Sequence, residues 1–538
     1  MPCRLDPTPE DPAHRVCTPK PYVSSFAWDA ADNTLFRPLT RVFALDGGGE
    51  ATNVNALDEV PDSSWFENRL GVRVPSLEDM VKGPCKVELD PGAADGTWVI
   101  DKGKSDGATP GFRVKVPNKG KFMLKGDFDA QPERPSAASA IGVRLYHAVG
   151  FHVSCDAVVY FKPSLLKLTP GLTVTTNAGV TSPFDEKALD LIVTHSPKRG
   201  EAIRMQSSEW LPGLPLGPFK YDGVRADDPN DIIPHEDRRE LRGGRLLAAW
   251  MNHFDAREQN TMSVWMADDR KHADSSPGYI KHFYLDTSDS FGSEWDWDGI
   301  SRRLGFSHYL DLPHVGQDFV SLGLVRRRWL TVERPQDGEI FGYYRADDFD
   351  AATWHAGYPN PTFDRMTERD GAWMARILAR FTPEHLGALV KKGDFSEKKH
   401  EQYLLDTLLT RQQRVLRRYL GKLSPVTDLV VKGSRICGVD LARKSGLFSA
   451  GDFKYEAALL TDAGEKASDL VATAAGEAEI CIELPSSAPP AGMADDDGRR
   501  YRVVRLRNRQ APGSLWVHLY DLGPERGLVL AGIERMPS

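Results

Sequence analysis

Residues 252–262 read NHFDAREQNTM, which sets His253, Asp255 and Asn260 in the spacing H-x-D-x-x-x-x-N. In that spacing an aspartate can orient or deprotonate a hydroxyl, and the asparagine amide oxygen can hold a cation. Downstream, Asp286 in FYLDTSDSFG offers a carboxylate, and Asp289 in the same stretch is a weaker further ligand. Mg²⁺ is a hard ion that takes oxygen ligands, so Asn260 and Asp286 suit it. Upstream, Lys125 in KFMLKGD closes an apolar run and could hold the α- and β-phosphates of ATP. Together these groups suit phosphoryl transfer, which asks a protein for positioning and charge neutralisation rather than covalent help. Each residue also has an ordinary use: a turn aspartate, an Asx cap, a strand-ending aspartate, a surface lysine. Their order along the chain is what points to a site. His253 is expected to pack and hydrogen-bond within the loop, outside the chemistry.

Particular elements must bring these residues together. Strand signals fall at 97–101, 112–116 and 121–127, with turn residues between them, and predict an antiparallel meander. A helix is expected over 135–150, capped at Ser136 and ended at Gly150, with Ile141, Leu145 and Val149 toward the sheet. Strands at 157–161 and 202–210 follow, separated by an excursion at 162–200. The Gly/Pro-rich connector 211–219 leads to a helix over 236–252, weakened by the Gly243–Gly244 pair, and then to the loop. The runs 261–266 and 279–286 read as a hairpin whose far end carries Asp286, so it can return that carboxylate to Asn260. Helices are expected at 368–381 and 397–421. The basic run RQQRVLRR (411–418) reads as a solvated face. From Pro425 onward the pattern becomes β-rich, with strands at 501–508, 514–523 and 527–535, and suggests a small sandwich.

The loop KGKSDGATPG (102–111) could cover phosphates, because Gly103 and Gly107 allow close backbone approach and Ser105 can donate a hydrogen bond. It also matches G-x-S-x-G. A nucleophile elbow must run from a strand into a helix, whereas Pro110 and the β-type run FRVKV follow here. The charged stretch DDPNDIIPHEDRRELRG (227–243) reads as a capped helix start with surface ion pairs, or alternatively as an acceptor-binding rim. The segment DEVPDSSWFENRLG (58–71) reads as irregular chain pinned onto the next domain by Trp65 and Phe66.

Through Lys125, NHFDAREQN and Asp286, the chain from about 95 to 424 resembles the atypical branch of the protein-kinase-like superfamily. Its relatives are HipA-type kinases, phosphoinositide kinases, spore-coat CotH-type kinases and aminoglycoside phosphotransferases. The 227–243 stretch is similar to one in bacterial proteins and lends no function. The resemblance implies an α+β fold with a bilobal core. The N-lobe at 95–210 is β-rich and carries the 162–200 insertion; the C-lobe at 211–424 is mainly helical. Residues 1–94 form an irregular N-terminal extension packed on the core, and 425–538 a β-sandwich-like domain. It implies ATP and Mg²⁺, Asp255 as base, Lys125 on phosphate, and Asn260 and Asp286 on the metal. Adenine is expected near Glu209 and Leu211 at the connector. The sequence departs from the family pattern in three places. Thr287–Ser288 follow Asp286 where Phe-Gly is usual. The 162–200 excursion has no family counterpart. The helix at 136–149 holds no acid to pair with the lysine, and Glu133 just before it is the nearby substitute. The alternative reading is therefore an inactive pseudokinase scaffold serving as a binding or cell-envelope protein.

The 538 residues are too many for one core and predict three or four units. A net charge of −8 argues against general binding to nucleic acid or to an anionic membrane surface. No run of eighteen apolar residues exists to span a membrane. The six cysteines are scattered without a C-x-x-C pair, which argues against a zinc or redox motif and leaves one or two disulfides open. The N-terminus lacks an apolar signal core, so the expectation is a soluble cytoplasmic protein, or an exported one whose leader has been removed. The acceptor, protein or small molecule, is not identified.

Overall fold

A computed structural model of the chain describes residues 19–22, 26–43, 48–91, 96–104, 109–127, 129–176, 179–273, 276–461, 464–485, 500–509, 511–523 and 526–537. It is a mixed α/β protein with several sheets. The N-terminal stretch carries three short helices, α1 (Phe26–Ala31), α2 (Arg37–Phe43) and α3 (Leu77–Lys82). Between them, Trp65 stacks on His282 with ring centroids 3.5 Å apart. Phe66 is fully buried among Phe151 and Trp373.

The expected meander forms as β1 (Trp98–Gly103), β2 (Gly111–Val116) and β3 (Gly120–Gly126). Its register sets Ile100 opposite Val114 and Val114 opposite Phe122. Strict alternation thus lays Trp98, Ile100, Phe112, Val114, Phe122 and Leu124 on one buried face. Next come α4 (Arg134–Val149), β4 (Asp156–Phe161) and β5 (Leu166–Leu168). The chain continues through β6 (Thr173–Thr175), β7 (Thr181–Pro183), α5 (Glu186–His195), β8 (Lys198–Arg199) and β9 (Ala202–Glu209). The sheet runs β4-β9-β3-β2-β1-β5, with β8 paired to β9. The 162–200 segment is therefore built into this layer. β5 extends the sheet beside β1, and α5 packs Leu189 and Ile192 into its core.

Gly150 ends α4 as expected, but Ser136 does not cap it. Glu133 occupies the cap position with a left-handed backbone, and Ser136 lies one turn in, where its amide and hydroxyl both donate to Asp127 at 2.8 and 2.7 Å. An acid from the end of β3 thus supplies the anchor that the helix lacks locally.

A second sheet, β10-β11-β12, is formed by Leu214–Gly217, Thr261–Ala267 and Gly278–Tyr284. The helices α6 (Arg239–Met251), α7 (Asp298–Arg303), α8 (Leu312–Val320), α9 (Pro361–Asp364), α10 (Glu368–Leu378), α11 (Pro383–Val390) and α12 (Lys398–Leu420) surround it in sequence. Gly243 of α6 has a packing reason: a Cβ there would lie 3.2 Å from the Trp373 ring of α10. The basic run of α12 is a solvated face only in part: Gln413, Arg414 and Arg417 are exposed, but its first arginine turns inward. Arg411 is buried, lies 3.6 Å over the Phe349 ring and donates to the carbonyls of Ala249, Trp250 and Arg345, while Arg418 pairs with Glu368. The 227–243 stretch is likewise an interior network: Asp231, His235, Arg238, Arg239, Glu240 and Arg242 are all buried.

The C-terminal part is β-rich as expected. It contains β13 (Val426–Lys432), β14 (Arg435–Asp440), α13 (Leu441–Lys444), β15 (Tyr455–Leu460), β16 (Lys466–Leu470), β17 (Ala472–Ala475) and β18 (Glu479–Glu483). It ends in β19 (Arg500–Asn508), β20 (Ala511–Asp521) and β21 (Leu528–Met536). Strands β13-β14-β18-β17 make one sheet and β16-β15-β19-β20-β21 another, and both feed one apolar cluster including Ile436, Ile480, Val504 and Val517. Register sets Cys437 opposite Cys481 across β14 and β18, where they form a disulfide. A second disulfide joins Cys85 to Cys155, beside the first residue of β4.

Candidate active site

Lys125 is the penultimate residue of β3, and its Nζ donates to Asp286 Oδ2 at 2.8 Å. The lysine side chain is 11% exposed and the aspartate 31%, so the pair sits in a recess with one side open. Burial opposes the lysine's charge, but Asp286 and then Asp156 more than offset it, and the lysine pKa rises above its ordinary value. Burial also opposes ionisation of Asp286. Lys125 and the amide and hydroxyl of Ser288, at 3.0 and 2.6 Å, hold its carboxyl well below the usual range.

Glu133 is not the lysine's partner. Its carboxylate accepts from the amide of Ser396 at 2.9 Å and from the Ser396 hydroxyl. The additional acid is Asp156, the first residue of β4. It is wholly buried and accepts from Ser154 at 2.8 Å, Ser139 at 2.6 Å and Gln206 at 2.9 Å. Helix α4 therefore contributes a hydroxyl, Ser139, where an acid was sought. A clue lay in the sequence: an aspartate opening the apolar strand DAVVYF is costly unless it is partnered.

The hairpin does return Asp286 to the loop. Thr261 pairs with Tyr284 at the end of the β11–β12 ladder, and the Leu285 amide donates to the Asn260 carbonyl at 3.0 Å. Asn260 Nδ2 donates to the carbonyl and Oδ2 of Asp255 at 2.7 and 2.9 Å, which leaves its own oxygen as the candidate ligand. Asp255 Oδ1 lies 3.1 Å from Arg257 Nε. Asp289 Oδ2 accepts from the Asp255 amide at 2.9 Å, which brings a third carboxylate into the cluster. His253 is buried, but its hydrogen bond leaves the loop: Nδ1 meets the Tyr146 hydroxyl of α4 at 2.7 Å, and burial pushes its pKa down to about 4.

Helix α4 holds the turn that bears the acids. Arg134 donates to the carbonyls of Ser288 and Ser290 at 2.5 and 3.2 Å. Gly142 has no Cβ because Thr287 fills that place, 2.5 Å from where the atom would stand. The N-terminal segment braces the loop as well: Arg37 makes a bidentate pair with Glu258 at 2.7 and 3.1 Å. Sequence reasoning missed Asp156, Ser139, Arg134 and Arg37, because none of them falls in the spacing of a short motif.

Other predicted residues lie away from this cluster or outside the described residues. Gly103 is a glycine because Val174 and Phe184 pack where its side chain would go. Ser105 and Gly107 lie outside the described residues. At the connector, the Glu209 amide donates to Cys155 O at 2.9 Å and the Trp210 amide to Lys121 O at 3.0 Å, so Leu211 keeps the nearest uncommitted candidate amide for a ligand.

The donor types, carboxylates and an amide oxygen, are those a hard divalent cation takes, but the oxygens of Asp255, Asp286 and Asp289 do not all lie within 4.8 Å of one another, so a shared ion would have to draw them together. Crowding shows in their protonation. Burial, reinforced by Asp289, pushes Asp255 up to about 6, against the pull of Arg257. Burial, reinforced by Asp286, pushes Asp289 up to about 7. Both folded values lie above the unfolded carboxylate value of about 4. Their stabilising contribution is therefore complete below about pH 4 and lost as pH rises through about 6 and 7. A cation should relieve that loss. Adding MgCl₂ or MnCl₂ is expected to raise Tm by several degrees at pH 8 and by much less at pH 5. An equal shift at both pH values would count against metal at this cluster, and differential scanning fluorimetry reads it directly.

No protein-family model matches the chain, and no curated protein matches it. Among solved structures, a Golgi casein kinase is 13% identical and aligns over 74% of this chain and 92% of its own, with a TM-score of 0.21. A Golgi casein kinase with Mn/ADP bound is 15% identical over 69% and 92%, with the same TM-score of 0.21. Similarity at that score is too weak to assign a fold or a function. Among the described residues, no helix is long and apolar enough to cross a membrane.

Proposed function

We propose that the chain is an ATP- and Mg²⁺-dependent phosphotransferase of atypical protein-kinase-like fold acting on a hydroxyl acceptor. Its bilobal core would comprise 95–210 and 211–424, with 1–94 packed on it and 425–538 as a sandwich-like domain. The observation that carries this reading is the 2.8 Å pair between Lys125 and Asp286. It joins the nucleotide-side strand to the end of the hairpin that starts at Asp255 and Asn260. Lys125 would exchange this contact for the α- and β-phosphates. Asp286, Asn260 and Asp289 would hold Mg²⁺, which supplies neutralisation of the triphosphate charge. Asp255 would take the acceptor's proton as its oxygen bonds to the γ-phosphorus and the bond to the ADP oxygen breaks. A carboxyl pushed up to about 6 suits a base working near neutral pH. Leu211 would border the adenine through its backbone. The disulfides Cys85–Cys155 and Cys437–Cys481 support an oxidising compartment. The inert-scaffold reading drew on the missing helix acid and the terminal β-domain; against the first, Lys125 pairs with Asp286, and the buried Asp156 adds to the field that favours its charge.

Titration calorimetry with ATP is expected to show binding that requires Mg²⁺. The Asp255→Ala variant should keep ATP affinity and lose about 10²–10⁴-fold in turnover. Mg²⁺-independent nucleotide binding, or turnover unchanged in Asp255→Ala, would reject the assignment.

A further inference from the structure

Four large apolar side chains are more than four-fifths exposed: Phe319 at 82%, Val320 at 84%, Leu322 at 88% and Leu324 at 84%. No other large hydrophobic among the described residues is as open, and these four fall within six consecutive positions. Val315 and Leu330 are also exposed, and α8 contains no buried residue. The segment is nevertheless held in shape from below. Asp311 caps α8 by accepting from the His314 amide at 3.1 Å. Arg327 donates to Gln317, to Asp318 and to the His314 carbonyl. Trp329 packs its ring near His314 and Phe306 at 5.4 and 6.4 Å. Polar and aromatic ties thus form the underside of a tongue, and its apolar side chains form the tip.

The charges around the tip are unequal. Asp311 is buried in its cap, and Asp318 is paired with Arg327. Arg326 and Arg328 are exposed, with no ion pair among the described residues, on a chain whose net charge is −8. Farther along, Glu333 is exposed and Arg334 pairs with Glu294 and Asp298. Trp297, 70% exposed, opens α7, which packs on the turn Arg328–Thr331, and Trp295 is 48% exposed, with the exposed Asp296 between them and Asp298 following. Protruding aliphatic and phenyl groups ringed by arginine and tryptophan suit shallow insertion into a membrane surface. Another protein is the weaker fit, because a stable interface uses roughly 20–30 residues a side and the tip offers about six.

We infer that the 312–330 tongue is a membrane-docking element, in which Phe319, Val320, Leu322 and Leu324 enter an anionic lipid surface and Arg326 and Arg328 meet its headgroups. It stands on exposure and charge, independently of the phosphotransferase reading.

The test is co-sedimentation of the full chain with phosphatidylcholine vesicles, with and without phosphatidylserine. Wild type is expected to bind the anionic vesicles and to release as salt rises. Phe319→Ser/Leu322→Ser and Arg326→Glu/Arg328→Glu should each lower the bound fraction by about tenfold, with Tm unchanged because these side chains are exposed. Wild type that stays in the supernatant, or apolar and basic variants that bind as it does, would overturn the inference. So would a dimer, seen by light scattering, that Phe319→Ser/Leu322→Ser splits without altering vesicle binding.

Discussion

Asp286→Asn is expected to lower ATP turnover by about 10³–10⁴-fold and to abolish Mg²⁺-dependent nucleotide binding. The substitution keeps the volume and removes the charge that faces Lys125 at 2.8 Å. Two losses then coincide. The proposed cation site loses the carboxylate that stays ionised most readily, held well below the usual range by Lys125 and Ser288. Lys125 also loses its nearest counter-charge inside the recess. Asp156 stays behind, so the fold should survive, and the stability cost should fall short of the roughly 3–5 kcal/mol of a fully orphaned buried charge. Turnover and circular dichroism on one preparation separate the effects. A folded Asp286→Asn protein with near-normal turnover would remove Asp286 from the site.

Asp58→Ala should be the most destabilising single change away from that site. Asp58 lies in the irregular N-terminal stretch with a left-handed backbone, φ 58°. Its carboxylate receives Arg239 of α6, Arg376 of α10 at 3.0 Å and Arg535 of β21 at 2.9 Å. One side chain therefore ties the N-terminal segment to two helices and to the last strand. All three arginines are buried; without the acid, Arg239 keeps Asp370 and Arg376 keeps Glu59, but Arg535 loses its only ion pair among the described residues. Breaking a buried charge cluster in this way costs about 3–5 kcal/mol, a large share of the 5–15 kcal/mol that holds a typical protein folded. The arginines hold the Asp58 carboxyl well below its usual range even though burial opposes ionisation. Its contribution is therefore present above the unfolded pKa of about 4 and lost as pH falls through the folded value. Denaturant titration should show the midpoint falling for Asp58→Ala at pH 7, with the gap to wild type narrowing in acid. A loss under about 1 kcal/mol would mean that water reaches the arginines.

Local pattern carried a good deal of this protein. The strands of the meander, α4, the β11–β12 hairpin and α12 all lie within a few residues of their expected positions, because each has a full period of apolar side chains and turn residues at its ends. The same patterns placed Lys125 near the end of a strand and returned Asp286 to Asn260, since a hairpin's register follows from its two strands. Long-range pairing was not legible in this way. That Lys125 would meet Asp286 and Asp156, that Glu133 would turn to Ser396, and that Asp58 would gather three arginines depend on side chains brought together across 161, 31, 263 and up to 477 positions. The charged runs at 227–243 and 411–418 show the physical reason. Composition alone reads such residues as solvated, whereas packing buries some of them, Asp231, Arg238 and Arg411 among them, and supplies those with partners. The sequence by itself determined the elements and the type of chemistry their residues can support. Only the tertiary structure decided which charges share a recess, because burial and partner are properties of the packed chain.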